Sequence, residues 1–491
     1  MSKGKKVIII GSGIAGLAVA IRLRKLGFEV LVLESNTSYG GKASNYTWQD
    51  YRFDCGPSLF TLPQLVDELW LLCNKNPRDY LNYQALKIVT KYFYENNLSI
   101  DSYSSPKEFA KEIKTKLNIE EGVVLKFLKK QEETYNNIAP VFLENSIHKI
   151  GKLFRKEFIS PLIYLIKPRF LASLNTINQK YFKHSALVRL FNRQGTYNGS
   201  NPYKISSLFN IISHLEHNLG AYLPDQGIYA IPQAMYKLAL EEGVKFEFNQ
   251  KVEEIIYSKN KVNGIRSLNQ SIDADIVVSN MDVKLTYERL LPNYKAPTKY
   301  LNNEISNSAL IFHWAINKHH PELEVHNILF SEDYKREFVA LFEDKVFYAD
   351  PTIYIYISSK IVNSDAPEGS ENWFVMINAP HLTESYEKNY VEKMKKIITE
   401  KINKRLNISI ENDIAHEHVI TPECIASQTN SYLGSLYGAS SNSMLSAFWR
   451  HPNFSNFENL YFCGCTVHPG GGIPLCLFSA KITANLIEEN H

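Results

Sequence analysis

The first forty residues contain the pattern that most constrains the fold. Two apolar runs, Lys5–Ile10 and Phe28–Glu34, flank a glycine-rich turn and an amphipathic stretch. Strand, glycine-rich turn, helix and strand in this order predict a Rossmann-like β-α-β unit of an α/β fold. In such a unit Gly11 permits the tight turn, Gly13 lets a pyrophosphate approach the backbone, and Gly16 lets the helix pack closely. The helix N-terminus then faces the phosphates, so the pattern predicts dinucleotide binding.

Charged residues at the end of this unit and just after it indicate which dinucleotide is bound. Glu34 ends the second run, where a carboxylate can accept hydrogen bonds from ribose hydroxyls and would repel a 2′-phosphate, which disfavours NADP. A second glycine pair, Gly40 and Gly41, is followed by Lys42, a cation that could reach the pyrophosphate from the other side. The alternative, that Lys42 is a solvated loop lysine, stays open at this stage.

Length and composition exclude several other classes of protein. A chain of 491 residues with 44% hydrophobic and 21% charged residues predicts a folded protein of two closely joined domains. The net charge of +3 gives no indication of nucleic-acid binding. The six cysteines form no CxxC pair, which disfavours a zinc site or a disulfide framework and favours a reducing cytosol. We find no secretory signal and no run of about 20 apolar residues, so we predict a cytoplasmic chain without a spanning helix.

The segment 149–193 differs in charge from the rest of the chain. It contains ten lysine and arginine residues and a single acid, Glu157, interleaved with aromatic and aliphatic residues. This mixture is typical of a helix that lies on an anionic membrane surface. A solvated basic helix face over an ordinary core is the alternative. The segment therefore predicts a peripheral association with membranes.

Two further segments resemble one known family. Asp54-Cys-Gly56-Pro57-Ser58 is similar to the F-D-x-G-P-[ST] element of bacterial carotenoid desaturases, and 464–474 resembles their G-x-x-x-H-P-G-x-G-I-P segment. Smaller matches follow in the same order along the chain, at 224–232, 249–255, 275–282 and 434–438. The sequence departs from the family pattern at Lys42, where arginine is commoner, and at Gln226 and Leu475, where glycine is usual. The chain is thus identified as a phytoene-desaturase-type member of the flavin amine oxidase superfamily. The stretch 56–63, followed by Asp67-Glu-Leu, looks more like the hydroxycarotenoid 3,4-desaturase branch than the phytoene branch.

The resemblance implies the cofactor, the reaction and the partners. FAD is the expected cofactor, and the expected reaction removes a hydride to flavin N5 and an adjacent proton from a C40 carotenoid taken from lipid, with oxygen or a quinone as reoxidant. The favoured bond is the 3,4 bond of a hydroxylated or monocyclic carotenoid. Phytoene desaturation, carotenoid isomerisation, amine oxidation and non-catalytic lipid binding remain alternatives. No catalytic residue is assigned, and for Asp54 and His468 structural roles and roles at the flavin both stay open.

The motifs also imply domain boundaries and a set of cofactor contacts. We expect a discontinuous FAD-binding domain over 1–75, 215–285 and 418–491, a helical insert over 76–214 that associates with membranes, and a sheet-containing substrate insert over 286–417. The residues expected to contact FAD are Gly11, Gly13, Ile14, Ala15, Gly16, Glu34, Gly40, Gly41, Lys42, Gly56, Pro57, Ser58, Val252, Gly464, His468, Gly471, Gly472, Ile473 and Pro474.

Overall fold

The structure is a computed structural model that describes residues 4–149, 156–165, 167–384, 386–443, 446 and 449–491. Lys152 and Arg155 of the basic segment lie outside these residues, as does the side chain of Lys156. The strands are β1 Lys6–Ile10, β2 Glu29–Leu33, β3 Asn45–Trp48, β4 Tyr51–Asp54, β5 Tyr83–Ala85, β6 Ile88–Phe93, β7 Ser99–Tyr103, β8 Tyr222–Pro224, β9 Lys245–Glu247, β10 Val252–Ser258, β11 Lys261–Ser267, β12 Gln270–Asp273, β13 Ile276–Ser279, β14 Ser308–Ile316, β15 His326–Leu329, β16 Ile353–Ile357, β17 Glu371–Ala379, β18 Ile414–Ile420 and β19 Leu460–Phe462.

Helices of eight or more residues connect and cover these strands. They are α1 Ile14–Lys25, α2 Gln64–Leu72, α3 Pro106–Leu117, α4 Glu121–Phe142, α5 Lys156–Leu165, α6 Leu174–Tyr181, α7 Ser185–Asn192, α8 Ala230–Glu241, α9 Tyr390–Leu406, α10 Pro422–Thr429 and α11 Ile473–Asn490. Shorter α-helical segments span Ile212–His214, Val283–Leu285, Thr298–Leu301 and Tyr334–Val339. In the described part of the chain, no helix is both long enough and apolar enough to cross a bilayer.

A parallel five-stranded sheet joins distant parts of the sequence. Its strand order is β19-β13-β1-β2-β9, with Ile8 paired to Leu31 on one side and to Val277 on the other. Helices α1, α8 and α11 cover one face of this sheet and strands β10 and β11 pack on the other, so its strands are continuously apolar, as the run Val7–Ile10 is. The sheet draws strands from all three segments predicted to form the FAD-binding domain, and the exact domain boundaries stay a prediction.

A second sheet of seven strands has the order β18-β14-β17-β16-β15-β6-β7. Its neighbouring strands are antiparallel except for β15 and β6, which are parallel. The central strands β14 and β16 are buried along their whole length, which explains their continuous apolar sequences. A three-stranded sheet, β10-β11-β12, and two small two-stranded sheets complete the described strands. Of the segment 76–214, expected to be a helical insert, the part between 106 and 192 is mainly helical, whereas its first part forms β5, β6 and β7.

The last helix begins earlier than the sequence predicted. The sequence predicts a helix over Leu477–Ile487, whereas α11 begins at Ile473. Proline fits the first turn of a helix, where its missing N–H has no intrahelical partner to lose. The helix start therefore lies within the glycine-rich segment and not after it.

Candidate functional site

A cavity of about 760 Å³ lies at the carboxyl ends of the parallel strands. Its lining includes Ile10 and Leu33 at the ends of β1 and β2, Asn280 after β13 and Gly464 after β19. This is the edge of an open α/β sheet at which ligands bind. All the residues predicted to contact FAD line this cavity, with the exceptions of Gly16 and His468.

The turn before α1 is closed by tight backbone packing. A Cβ atom on Gly16 would lie 2.1 Å from the carbonyl oxygen of Gly11, so no larger residue fits here. With its amide oxygen facing α1, Asn280 accepts hydrogen bonds from the N–H groups of Gly13 and Gly16, both at 3.2 Å. Ile14 and Ala15, the first helical residues, line the cavity at this positive end of the helix.

Glu34 lies at the cavity and is bonded to the neighbouring turns. One carboxylate oxygen accepts hydrogen bonds from the N–H and hydroxyl of Ser12 at 2.8 and 2.9 Å, and the other accepts from the N–H of Asn36 at 2.9 Å. The main chain of Gln250 donates to the carbonyl of Glu34, which brings the following strand and Val252 alongside. The carboxylate thus orders the loop as well as facing the predicted ribose position.

Lys42 directs its ammonium group at the main chain. Its Nζ donates to the carbonyl oxygens of Ser435 and Leu436 at 3.1 and 2.7 Å. Lys42 is therefore not a freely solvated loop lysine, since it links the Gly40–Lys42 turn to the segment at 435–436 while it lines the cavity. Contact between Lys42 and a pyrophosphate stays a prediction.

Asp54 is a structural carboxylate in this protein. It is 2% exposed and accepts hydrogen bonds from the N–H groups of Ile228 and Tyr229, each at 3.0 Å, and from the hydroxyl of Tyr356 at 3.0 Å. Arg52 forms an ion pair with it at 2.9 Å. Asp54 is absent from the cavity lining among the described residues, which favours the structural role over a role at the flavin.

His468 lies behind the cavity wall. Its Nε2 is 3.1 Å from the carbonyl oxygen of Asn145, and its ring packs against those of Phe142 and His148. Burial lowers the pKa of His468 to about 3, so the ring is neutral. Because it does not line the cavity and is not charged, the structure gives no support to acid–base work by His468.

The remainder of the cavity contains polar residues that the sequence analysis did not predict as a site. Arg193, Tyr197 and Glu216 line it on one side, and the fully buried Arg450 lines it near Cys465. Arg450 donates hydrogen bonds to the carbonyls of Tyr437, Ala439 and Cys465 at 2.7–3.1 Å. These residues come together through long-range packing, so no local motif could have identified them.

The basic segment 149–193 is not a uniform surface, which corrects part of the sequence prediction. Arg193 is buried at the cavity, and Arg189 forms a two-pronged ion pair with Glu95 at 2.7 Å. Lys167, Lys180 and Lys183 are exposed. The charge count could not distinguish these cases, because burial depends on how α7 packs.

In the described part of the chain, the residues that line the cavity fit FAD. The N-termini of α1 and α11 both reach the same cavity without a side-chain cap from the residue that precedes each helix. Two such positive helix ends suit a pyrophosphate and a second polar group, and Glu34 lies where a ribose would follow. The donor set is therefore that of a dinucleotide site.

Comparison with known proteins assigns the class. Residues 14–487 match the family described as flavin containing amine oxidoreductase, and the chain belongs to this family. It is 47% identical over 490 residues to a 1-hydroxycarotenoid 3,4-desaturase of Flavobacterium sp. (strain P99-3), covering 99% of this chain and 100% of the relative. It is 28% identical over 488 residues to a 4,4'-diaponeurosporene oxygenase of Staphylococcus haemolyticus (strain JCSC1435), covering 98% and 97%.

Solved structures share the fold. A triple mutant of putrescine oxidase has a TM-score of 0.65 at 12% identity and 99% coverage of both chains. An oxidoreductase from Methanosarcina mazei has a TM-score of 0.63 at 15% identity, covering 98% of this chain and 100% of that chain. The predicted α/β fold, the FAD cofactor and the identification as a carotenoid-desaturase-type flavoenzyme are thereby confirmed, and the protein is an FAD-dependent oxidoreductase.

Proposed function

We propose that this protein introduces a C=C bond into a carotenoid, and that the reacting bond is the 3,4 bond of a hydroxylated or monocyclic C40 substrate. The observation that carries the proposal is the 47% identity, over the full length of both chains, to a 1-hydroxycarotenoid 3,4-desaturase. The cavity supports it, because one continuous space borders both the dinucleotide-binding turn and an apolar wall from the seven-stranded sheet. A long hydrocarbon is recognised by such an apolar, shaped space.

The protein's own residues hold the cofactor and exclude water. FAD, when bound, supplies the hydride acceptor. The backbone at Gly11–Ala15 and the carboxylate of Glu34 would hold its dinucleotide part, and Gly56–Ser58 and Gly464–Pro474, which line the same cavity, would contact the rest of it. Among the described residues that line the cavity there is no histidine, and apolar side chains from α4 and the sheet keep the reacting carbons dry. The protein thus aligns the substrate and keeps water out, and no side-chain base is assigned.

The decisive experiment offers the flavin-loaded protein a panel of substrates. Acyclic, monocyclic and 1-hydroxylated carotenoids in liposomes are incubated with oxygen or a quinone, and the products are analysed by absorption and mass. We expect a product lighter by two hydrogens, with absorption at longer wavelength, from the hydroxylated member. A product that has gained oxygen would indicate an oxygenase, like the one named among the relatives. A product of unchanged mass would indicate an isomerase, and release of peroxide only when amines are offered would indicate an amine oxidase. Each of these outcomes overturns the proposal.

We also propose that the helical part around α5 docks the protein on membranes. Ile159 and Ile163, four residues apart on α5, are 47% and 59% exposed, and Leu171 is 63% exposed. Tyr164 and Leu165 on the same helix pack against an apolar cluster with Ile138 and Phe142, which line the cavity. The exposed apolar stripe is thus adjacent to the helical wall of the cavity, where a lipid-borne substrate would enter. Lys167 adds a positive charge beside the stripe.

A further inference from the structure

One wall of the cavity is a row of residues that crosses six strands of the seven-stranded sheet. The row consists of paired residues on β18, β14, β17, β16, β15 and β6: Ile420, Ile311, Met376, Tyr354, Ile328 and Tyr92. At about 4.8 Å per strand, it is about 24 Å long. The first five residues line the cavity, and all except Tyr354 are aliphatic or thioether side chains.

The row ends at a buried charged cluster. Arg193 Nη1 donates hydrogen bonds to the hydroxyls of Tyr92 at 3.1 Å and Tyr197 at 3.0 Å, and lies 3.5 Å from Glu216 Oε1. Tyr197 donates to the same carboxylate oxygen, and Gln194 donates to the other at 3.3 Å. Arg193 and Glu216 are 9% and 1% exposed. An ion pair buried this deeply gives little net stability, because the cost of desolvation offsets the attraction. Stability therefore does not explain why the pair lies at an apolar cavity.

The cluster retains unused hydrogen-bonding capacity towards the cavity. All the side-chain hydrogen bonds of Arg193 to described residues leave from Nη1, so Nε and Nη2 have no acceptor among them. Glu216 receives three donors, one fewer than the four that a carboxylate accepts. Tyr334 is also a lining residue of the cavity and is 3% exposed, and its buried hydroxyl has no hydrogen-bond partner in the described part of the chain.

Tyr334 belongs to the same end of the cavity. The ring of Tyr334 packs edge-on against Phe330 with 5.3 Å between the ring centroids, and Phe330 stacks on Tyr92, whose hydroxyl accepts a hydrogen bond from Arg193. Free donors on Arg193, a free acceptor position on Glu216 and an unpaired phenol on Tyr334 together match a ligand oxygen that both accepts and donates. An alcohol is such a group, whereas a hydrocarbon offers nothing to them.

We propose that Arg193, Glu216 and Tyr334 bind the hydroxyl group of a hydroxylated carotenoid and thereby determine which bond reacts. This inference rests on the proposed function. In a 1-hydroxylated substrate a single carbon, C2, separates the hydroxyl-bearing carbon from C3, so the hydroxyl site must lie close to the site of hydride transfer. Ser58, in the segment expected at the flavin, is bonded to Tyr354 at 2.7 Å, and Tyr354 is two strands from Tyr92, about 10 Å away.

The arrangement explains selectivity as well as position. A substrate without the hydroxyl would fill the apolar row but would leave the free positions of Arg193, Glu216 and Tyr334 desolvated and unpaired. A site that forms hydrogen bonds to a substrate hydroxyl discriminates strongly against analogues that lack the hydroxyl. An apolar pocket discriminates far less against analogues that carry an additional hydroxyl. We expect the wild-type enzyme to prefer the hydroxylated carotenoid to its deoxy analogue by about 100-fold or more in kcat/KM.

The test compares kcat/KM for a 1-hydroxylated carotenoid and the same carotenoid without the hydroxyl, in identical liposomes and at equal flavin loading. Tyr334→Phe removes a single oxygen atom that has no partner in the described protein, so folding should be retained. We expect it to reduce the selectivity ratio about tenfold, and Glu216→Gln to reduce it as well. Tyr94→Phe is the matched control. Tyr94 also packs against Phe330, but its hydroxyl donates a hydrogen bond to the carbonyl of Ala186 and Tyr94 is not among the residues that line the cavity.

The outcomes separate this inference from the proposed function. Loss of selectivity in Tyr334→Phe and Glu216→Gln, with Tyr94→Phe unchanged, supports the hydroxyl site. Desaturation of both carotenoids with a ratio near one in the wild type, or a ratio that neither variant changes, overturns the hydroxyl site while the proposed desaturation stands. Desaturation of neither carotenoid overturns the proposed function itself.

Discussion

A Cβ atom added to Gly56 would lie 1.8 Å from the carbonyl oxygen of Lys42. The obstacle is backbone and not the end of a flexible side chain, so neither partner can rotate away. Both residues line the cavity, and the Gly56–Ser58 segment therefore passes directly over the Gly40–Lys42 turn. This contact joins two of the segments expected to enclose the flavin.

We expect Gly56→Ala to separate these segments. Overpacking of this kind costs about 1–3 kcal/mol, so the variant should have a lower Tm and less FAD per chain after purification. Gly122→Ala is the matched control, because a Cβ there meets nothing within 4 Å and alanine favours the helix α4. Flavin absorbance per chain and thermal unfolding measure both. Full flavin content with an unchanged Tm in Gly56→Ala would show that the contact is not restrictive.

Glu34→Gln should weaken FAD binding. The amide retains the size of the side chain, but its NH₂ group faces the N–H donors of Ser12 or Asn36, and a charged acceptor for the ribose is lost. Hydrogen bonds to a charged group are worth about 1.5–3 kcal/mol, which corresponds to roughly a 10- to 100-fold rise in Kd. Glu29→Gln, an exposed position on the same strand β2, is the control. Equal flavin retention by both variants on dialysis would exclude Glu34 as the ribose carboxylate.

The sequence predicted the local part of this site and not its distant part. Gly11, Gly13 and Glu34 belong to one β-α-β unit, whose turn, helix and strand follow from glycine placement and apolar runs within thirty residues. Arg193 was assigned to a membrane surface, because charge alone cannot distinguish an exposed arginine from one that α7 buries at a cavity. Glu216 and Tyr334 carry no motif, and they reach the same cavity from two helical segments that are more than a hundred residues apart in the sequence.

Asp54→Asn tests the structural role of this carboxylate. The amide would face the N–H groups of Ile228 and Tyr229 with one acceptor in place of two, and Arg52 would lose a charged partner. We expect a loss of about 1–3 kcal/mol in the free energy of unfolding, measured by denaturant titration. Asp50→Asn, an exposed position in the turn between β3 and β4, should change stability by less than about 0.5 kcal/mol. An Asp54→Asn protein with normal stability that lacks flavin would instead favour the role at the cofactor.

Stability should fall as the pH drops below about 6.5. Burial lowers the pKa of His313, His326 and His468 to about 3 and of His451 to about 4, from an ordinary value of 6.5. Between those values the unfolded chain binds protons that the folded protein does not, so each histidine costs about 1.4 kcal/mol per pH unit as the pH falls. We expect His468→Gln to reduce the slope of unfolding free energy against pH by about one proton between pH 6 and 5. An unchanged slope would mean that His468 is protonated in the folded protein.

Membrane docking should depend on the apolar stripe more than on the charge of the segment. The triple variant Ile159→Gln, Ile163→Gln, Leu171→Gln removes three exposed apolar side chains, each worth about 1 kcal/mol or more if buried in lipid. Binding to anionic liposomes in a sedimentation assay should fall more than tenfold, with flavin content retained. Lys167→Gln should mainly reduce the dependence of binding on salt. Leu240→Gln with Leu268→Gln, which are exposed apolar residues on other elements, should bind as the wild type does. If the triple variant binds liposomes as well as this control does, the docking surface lies elsewhere and α5 is an ordinary solvated helix.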